Sequence, residues 1–493
     1  MLESPSTGCN CAPEVPKART LVLCFDGTSN EYDGDNTNIV KFLALLKKDD
    51  FNEQISYYQV VSSVSPYYIN KLTPIIQPGI GTWFNPGVVS PIFQWCAKIL
   101  DEAFAWYMDA HVIDGYRFLM QNYRAGDKIC IFGSYDPRGF PVAHTLHGII
   151  IVFFPNYLNL PTGALYKVGL LPRDNEQQIP FAYKLYKRED QEGIQLCAGY
   201  KQTFSQNVKI HFVGVWDTVA SVGVVMGRTL PFTNSNKAIK TFRHALALDE
   251  HRGRFRPNYY HRPAPDSAAA ALDPEQASPI LTKDPGSSNS AGSRKQKIIS
   301  LKRRGLMSKF WKRRTEILVD VPEEEGDPTD VLEVWFAGCH SDVGGGAVSD
   351  SVVNSLANIS LRWMVHEVVK SQCGILFDEL ALQRASIFGI FPGTPVEDSP
   401  IQQALEEGDA LEPVHDPLKQ NVLWWILEII PLFYFWQDED GAWHREFSFH
   451  LGKGREIQDS HPLFHATVKR RMESSLKYSP RALWTKGSEV YVR

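Results

Sequence analysis

The chain has 493 residues, of which 43% are apolar and 22% charged, and a formal net charge of −5. This is the composition of a soluble globular protein, long enough for one large domain or two ordinary ones with a well-buried core. The charge argues against nucleic acid as a general partner.

The first 18 residues form a polar leader without the basic-then-apolar order of a signal peptide. Eight cysteines are scattered, and Cys24, Cys130 and Cys339 fall inside apolar strand-like runs, as buried free thiols do. An intracellular, cytoplasmic protein without structural disulfides is expected. No apolar run reaches the uninterrupted length of about 18 residues that a membrane span needs.

Arg19–Phe25 (RTLVLCF) reads as the first strand and runs into Asp26-Gly27-Thr28-Ser29-Asn30. Ile39–Leu46 is an amphipathic helix, Gln54–Gln59 a second strand and Pro78–Thr82 a glycine loop. Val60–Gln77, between them, fits neither neighbour. Leu100–Tyr123 reads as one long helix or two. Lys128–Phe132 (KICIF) has the β-branched, apolar character of a buried central strand. Gly133, Ser134 and a small-residue, helix-compatible run follow it. A strand, a sharp turn and a helix are the setting of a nucleophile elbow, although the G-x-S-x-G spacing is absent.

Lys209–Trp216 (KIHFVGVW) is a further buried strand, ending in Asp217-Thr218. Val331–Ala337 (VLEVWFA) is another, ending in Gly338-Cys339-His340-Ser341-Asp342 and three glycines. Helical runs are expected at Thr241–Leu248 and Ser351–Val369. Strands alternating with helices give an α/β class, with a mostly parallel central sheet and helices on both faces. The domain is expected to span residues 19–262 and 315–472. Residues 263–314 interrupt it as a disordered insertion with a basic second half, and 473–493 form a tail. The aromatic run Val422–Trp436 (VLWWILEIIPLFYFW) is expected to join helices in a cap, and is compatible with peripheral membrane contact.

Ligands of open α/β sheets bind beyond the carboxyl ends of the strands. Three such ends present chemistry: Asp26, Asp217 and His340. Elbow, acid and histidine in that order match the α/β-hydrolase triad. Ser134 is the hydroxyl nucleophile candidate, His340 the base and Asp217 its orienter. Gly27 and Thr28 N–H groups are candidates for an oxyanion hole, and Asp26 and Asp342 for shaping the site. Asp217 could equally cap a helix. His340 and Asp342, two residues apart, are too few for a metal site. Cys24-Phe25-Asp26-Gly27-Thr28 matches the D-x-D-G-T loop of aspartate-nucleophile phosphatases except at the attacking residue, which here is Cys24.

Five runs together resemble one family: Leu21–Asn30 (LVLCFDGTSN), Pro78–Thr82 (PGIGT), Val213–Val219 (VGVWDTV), Thr241–Asp249 (TFRHALALD) and Val334–Gly346 (VWFAGCHSDVGGG). It is the α/β-hydrolase-like catalytic domain of type VI secretion phospholipase effectors, in the style of its fungal members. The resemblance implies a serine esterase or phospholipase acting on lipid esters, with no cofactor. The rival reading is an inactive relative that keeps the fold and binds a lipid or a protein. The family elbow reads G-F-S-R-G, whereas here Tyr135 or Pro137 falls at the nucleophile position and Ser134 sits one residue early. Val60–Gln77 and most of Ile149–Ala164 have no counterpart in the family pattern and read as retained introns or another gene-model fault. Peptides of the native protein that span Val60–Gln77 would refute that reading.

Overall fold

The computed structural model describes residues 17–28, 33–61, 113–134, 164–165, 167–186, 188, 191–219, 239–260, 328–390, 400–429, 431–438 and 443–493. The glycine loop Pro78–Thr82, the residues after Ser134 in the elbow run, the 263–314 insertion and nearly all of the two extra segments lie outside them.

Eight strands make one sheet in the order β10-β9-β6-β5-β4-β3-β1-β2. They are β1 (Thr20–Thr28), β2 (Gln54–Val61), β3 (Lys128–Ser134), β4 (Ile210–Trp216), β5 (Ile239–Ala247), β6 (Asp330–Phe336), β9 (Leu463–His465) and β10 (Val490–Val492). Every neighbouring pair is parallel. A parallel sheet must be covered on both faces, and alternate residues of each strand supply the two cores. Leu21, Leu23, Ile129 and Ile131 pack with the 113–122 helix and helices Ile179–Tyr186 and Gln191–Phe204. Val22, Cys24, Cys130 and Phe132 pack with helices Asn38–Leu45 and Leu356–Ser371 on the other face.

Gly214 shows how closely the second layer sits. A Cβ there would lie 2.7 Å from the Phe132 ring and 2.8 Å from Met364 Sδ. The missing side chain lets helix Leu356–Ser371 press onto β4. Ser355 caps that helix by accepting a hydrogen bond from Ala357 N, the usual role of serine at this position.

One expected helix is a strand. Thr241–Leu248 lies almost wholly in β5, between β4 and β6. Its alanines and leucines carry helical propensity, but a central strand is buried on both faces and loses the alternation that would mark it. The terminal segment, expected as a tail, supplies β10 and packs Trp484 against Phe464 of β9. The aromatic run Val422–Trp436 divides into a short helical stretch, Val422–Glu428, and β7 (Leu432–Gln437). β7 pairs antiparallel with β8 (Trp443–Ser448) as a separate hairpin. No helix among the described residues is long and apolar enough to cross a membrane.

The chain reverses its direction across the sheet at β1, which has β2 on one side and β3 on the other. That reversal is where open α/β sheets form their crevice. Asp26 and Ser134 stand at the carboxyl ends of these strands, and Asp217 follows the end of β4 next door.

Candidate active site

Asp217 directly follows β4 and takes a left-handed conformation (φ 45°), which aspartate tolerates better than most residues. Its N–H donates to Ala245 O, and Ala247 N–H donates back to its Oδ1, so its backbone and side chain are both tied to β5. Arg455 then clamps the carboxylate at both oxygens, at 2.6 and 2.8 Å. The remaining guanidinium N–H groups go to Ala247 O and Phe255 O, so all five donors are used. Burial alone would raise the Asp217 carboxyl. The facing Arg455 and the hydrogen bond to His340 outweigh it and hold the group well below the usual carboxylate range.

His340 opens the short helix His340–Gly344 beyond β6. Its Nδ1 lies 2.6 Å from Asp217 Oδ2, and both side chains are fully buried. A carboxylate at Nδ1 places the ring proton there and leaves the Nε2 lone pair as a base. The edge of the imidazole meets the Phe255 ring at 5.2 Å, and the Arg252 guanidinium covers that ring at 3.5 Å.

Three carboxylates hold the turn that carries His340. Asp249 Oδ2 accepts from Gly338 N, Asp342 Oδ2 from Cys339 N and Glu250 Oε2 from His340 N. Successive backbone donors thus each meet a different acid. Burial drives Glu250 upward, but its pair with Arg252 brings it to about 2. Asp249 and Asp342 are raised by burial. Asp342 also receives His415 N and pairs with His415 Nδ1 at 2.7 Å, which raises that histidine.

The two depressed carboxyls set the acid limb of stability, against a contribution of opposite sign from the raised Asp249 and Asp342. A carboxyl depressed in the folded state stabilises above its unfolded pKa, about 4, and loses that contribution as pH falls through the folded value. Glu250 and Asp217 are of this kind. Urea unfolding is therefore expected to show stability dropping from about pH 4.5 down to about pH 2, and Glu250→Gln to flatten part of that drop.

Gly338 has a φ of 115°, and a Cβ there would lie 2.5 Å from Asp342 Cβ. Gly338→Ala is expected to cost more than about 2 kcal/mol, from the strained backbone and the clash together, and thermal unfolding reads it directly.

The other expected site residues fall as follows. Asp26 accepts from Thr37 Oγ1 at 2.7 Å, Tyr58 OH at 3.0 Å and Gly27 N at 2.8 Å. Thr37 is the N-cap of helix Asn38–Leu45, so Asp26 fastens that helix to β1 and β2. Gly27 N–H, an oxyanion candidate, is already engaged by this carboxylate, and Thr28 is the last residue of β1. Ser134 ends β3 level with Trp216 of β4. Its buried Oγ has no hydrogen-bond partner and lies where a Cβ on Gly344 would come within 2.9 Å. The structure joins Asp217 to His340 and does not hydrogen-bond Ser134 to His340. Arg455, Glu250, Asp249 and His415 were not read from the sequence. Asp249 and Glu250, adjacent acids at the end of an apolar run, carried the one signal available. Among the described residues no group of three or more His, Cys, Asp or Glu side chains is placed to hold a metal.

A family model described as the catalytic domain of Tle1-like type VI secretion phospholipase effectors matches residues 19–367. Uncharacterized protein YEL023C of Saccharomyces cerevisiae is 26% identical over 592 aligned positions, which cover 96% of this chain and 81% of that protein. The solved structures to which the chain is similar include the following two. One is an uncharacterized protein from Pseudomonas aeruginosa (14% identity, TM-score 0.30), with 80% of this chain covered. The chain spans about half of that protein, 53% of its length. The other is the Tle1 effector bound to the VgrG spike (13% identity, TM-score 0.29), covering 88% of this chain and 92% of that one.

Proposed function

Because the chain belongs to the Tle1-like family of type VI secretion phospholipase effectors, we propose that it is a serine-type hydrolase of lipid esters. His340 is its general base and Asp217 the residue that orients it. The observation that carries this reading is the fully buried 2.6 Å hydrogen bond between His340 Nδ1 and Asp217 Oδ2, whose carboxylate is held ionised by Arg455 at the carboxyl end of the sheet. A serine Oγ attacks the acyl carbonyl while His340 Nε2 takes its proton. The same proton then goes to the leaving alcohol, and water repeats the sequence on the acyl-enzyme. Ser134 is the nucleophile candidate, at the end of the strand next to Asp217.

The lipid part of the reading is supported by a surface beside the site. Val422, Trp425, Ile429, Phe447, Phe449 and Leu451 are all exposed. Trp425 lies against Gly452, and Leu451 N donates to Glu428 O, so the two segments adjoin. Trp424 of the same segment packs on Phe255, the ring that touches His340. An apolar surface placed there suits peripheral contact with a lipid layer.

Titration of fatty acid released from phosphatidylglycerol vesicles by the purified chain tests the proposal. Release is the expected result. Vesicle retention without release favours the other reading, an inactive relative that binds lipid. The Ser134 hydroxyl, which is not hydrogen-bonded to His340, speaks for that alternative.

A further inference from the structure

A polar cleft lies between helices Leu356–Ser371 and Pro400–Ala410, with His465 and Arg493 also in its wall. It is open to solvent, and none of its lining residues contributes to the His340 site. Arg362, Trp363, His366 and Lys370 come from one face of the longer helix, at the three- and four-residue steps that align side chains.

Several buried polar atoms of these walls have no hydrogen-bond partner. They are both amide atoms of Gln402, Nε1 of Trp363 and Nε of Arg362. Gln402 is 7% exposed and Trp363 4%. An unsatisfied buried polar atom is destabilising, and native proteins hold few of them. Four around one cleft mark a place where a partner is missing. Three of the four are N–H donors, so the missing partner is rich in acceptors.

The charge around the cleft agrees. Burial and the nearby Lys370 and Arg362 push His366 down to about 4. Burial with Arg362, Arg470 and Arg493 pushes His465 down to about 3. Burial is the larger cause in both, and the basic side chains around the cleft add to it. The acids close by are Glu406 in the wall, Asp409, which pairs with Arg362, and Glu367, which pairs with Lys370. His465 Nδ1 is used in capping helix Ala466–Glu473 through Thr467, which leaves Nε2 as a further donor.

We propose that this cleft binds a small phosphorylated molecule bearing a hydroxyl group. Its phosphate oxygens meet the donors of Trp363, Arg362 and His465 within reach of Lys370 and Arg493, and the hydroxyl meets the Gln402 amide. The phosphate can come from a soluble phosphomonoester or from a lipid headgroup. The site is separate from the proposed esterase chemistry and stands or falls apart from it.

Isothermal titration of the full chain with glycerol 3-phosphate, inorganic phosphate and phosphatidylglycerol vesicles, against sodium chloride at matched ionic strength, tests it. Saturable binding of at least one phosphate probe is expected, weakened about tenfold or more in Gln402→Leu and in Lys370→Ala and unchanged in His340→Ala. Binding of glycerol 3-phosphate assigns the site to a soluble ligand, and binding of vesicles alone, lost in Gln402→Leu, assigns it to a headgroup. Gln402→Leu removes an unpartnered amide, so its melting temperature should match or exceed that of the parent chain. No saturable heat with any probe, or equal affinity in both cleft variants, overturns the proposal.

Discussion

Arg455→Met is expected to destabilise the chain by about 3–5 kcal/mol, the cost of leaving a buried charge without its partner. Arg455 is fully buried and uses every guanidinium donor on Asp217, Ala247 O and Phe255 O. Without it, Asp217 has His340 and the Ala247 N–H but no permanent positive charge. Its carboxyl then rises toward protonation, and three segments far apart in sequence lose their common tie. Arg455→Lys keeps the charge but not the fork, and should recover only part of the loss. Asp217→Leu with Arg455→Met should be less damaging than the sum of the two single changes, because removing both charges leaves neither stranded. Urea unfolding of the parent chain and the four variants, Asp217→Leu alone among them, measures all of this.

His340→Ala is expected to abolish ester hydrolysis, by about 10³-fold or more, with a stability loss of only about 1–3 kcal/mol. The contrast with Arg455 follows from charge. Removing the imidazole leaves Asp217 still paired with Arg455 at 2.6 Å, so no ion is stranded. What goes is the base and the packing against Phe255. Rates on a short-chain ester, with circular dichroism to verify the fold, separate this from a structural effect. Retained hydrolysis in a folded His340→Ala chain would remove His340 from the mechanism.

Much of this arrangement was legible in the sequence, for physical reasons. β1, β3, β4 and β6 are short apolar runs that end in a polar or glycine turn, which is how a buried parallel strand must look. Asp217 and His340 were legible because polar residues directly beyond such strands have few other places to go. β5 was read as a helix because the alanines and leucines of Thr241–Leu248 carry helical propensity and the run lacks a strand's alternation. The three-residue strands β9 and β10 carry too little pattern to detect.

The supporting residues were hidden for another reason. Arg455 reaches Asp217 across 238 positions and Phe255 across 200, from a segment with no apolar period. His415 meets Asp342 across 73. Nothing local marks such pairings. Asp26 shows the converse. A carboxylate at a strand end reads as a site residue, and its tie to a helix cap and a tyrosine is invisible in the sequence.

The most direct measurement is labelling of the full-length chain with a fluorophosphonate, followed by mass mapping of the modified residue. A serine nucleophile served by His340 and Asp217 predicts stoichiometric labelling at Ser134, lost in Ser134→Ala and strongly reduced in His340→Ala. A folded chain that takes up no label would contradict the hydrolase account and leave a lipid-binding relative in its place.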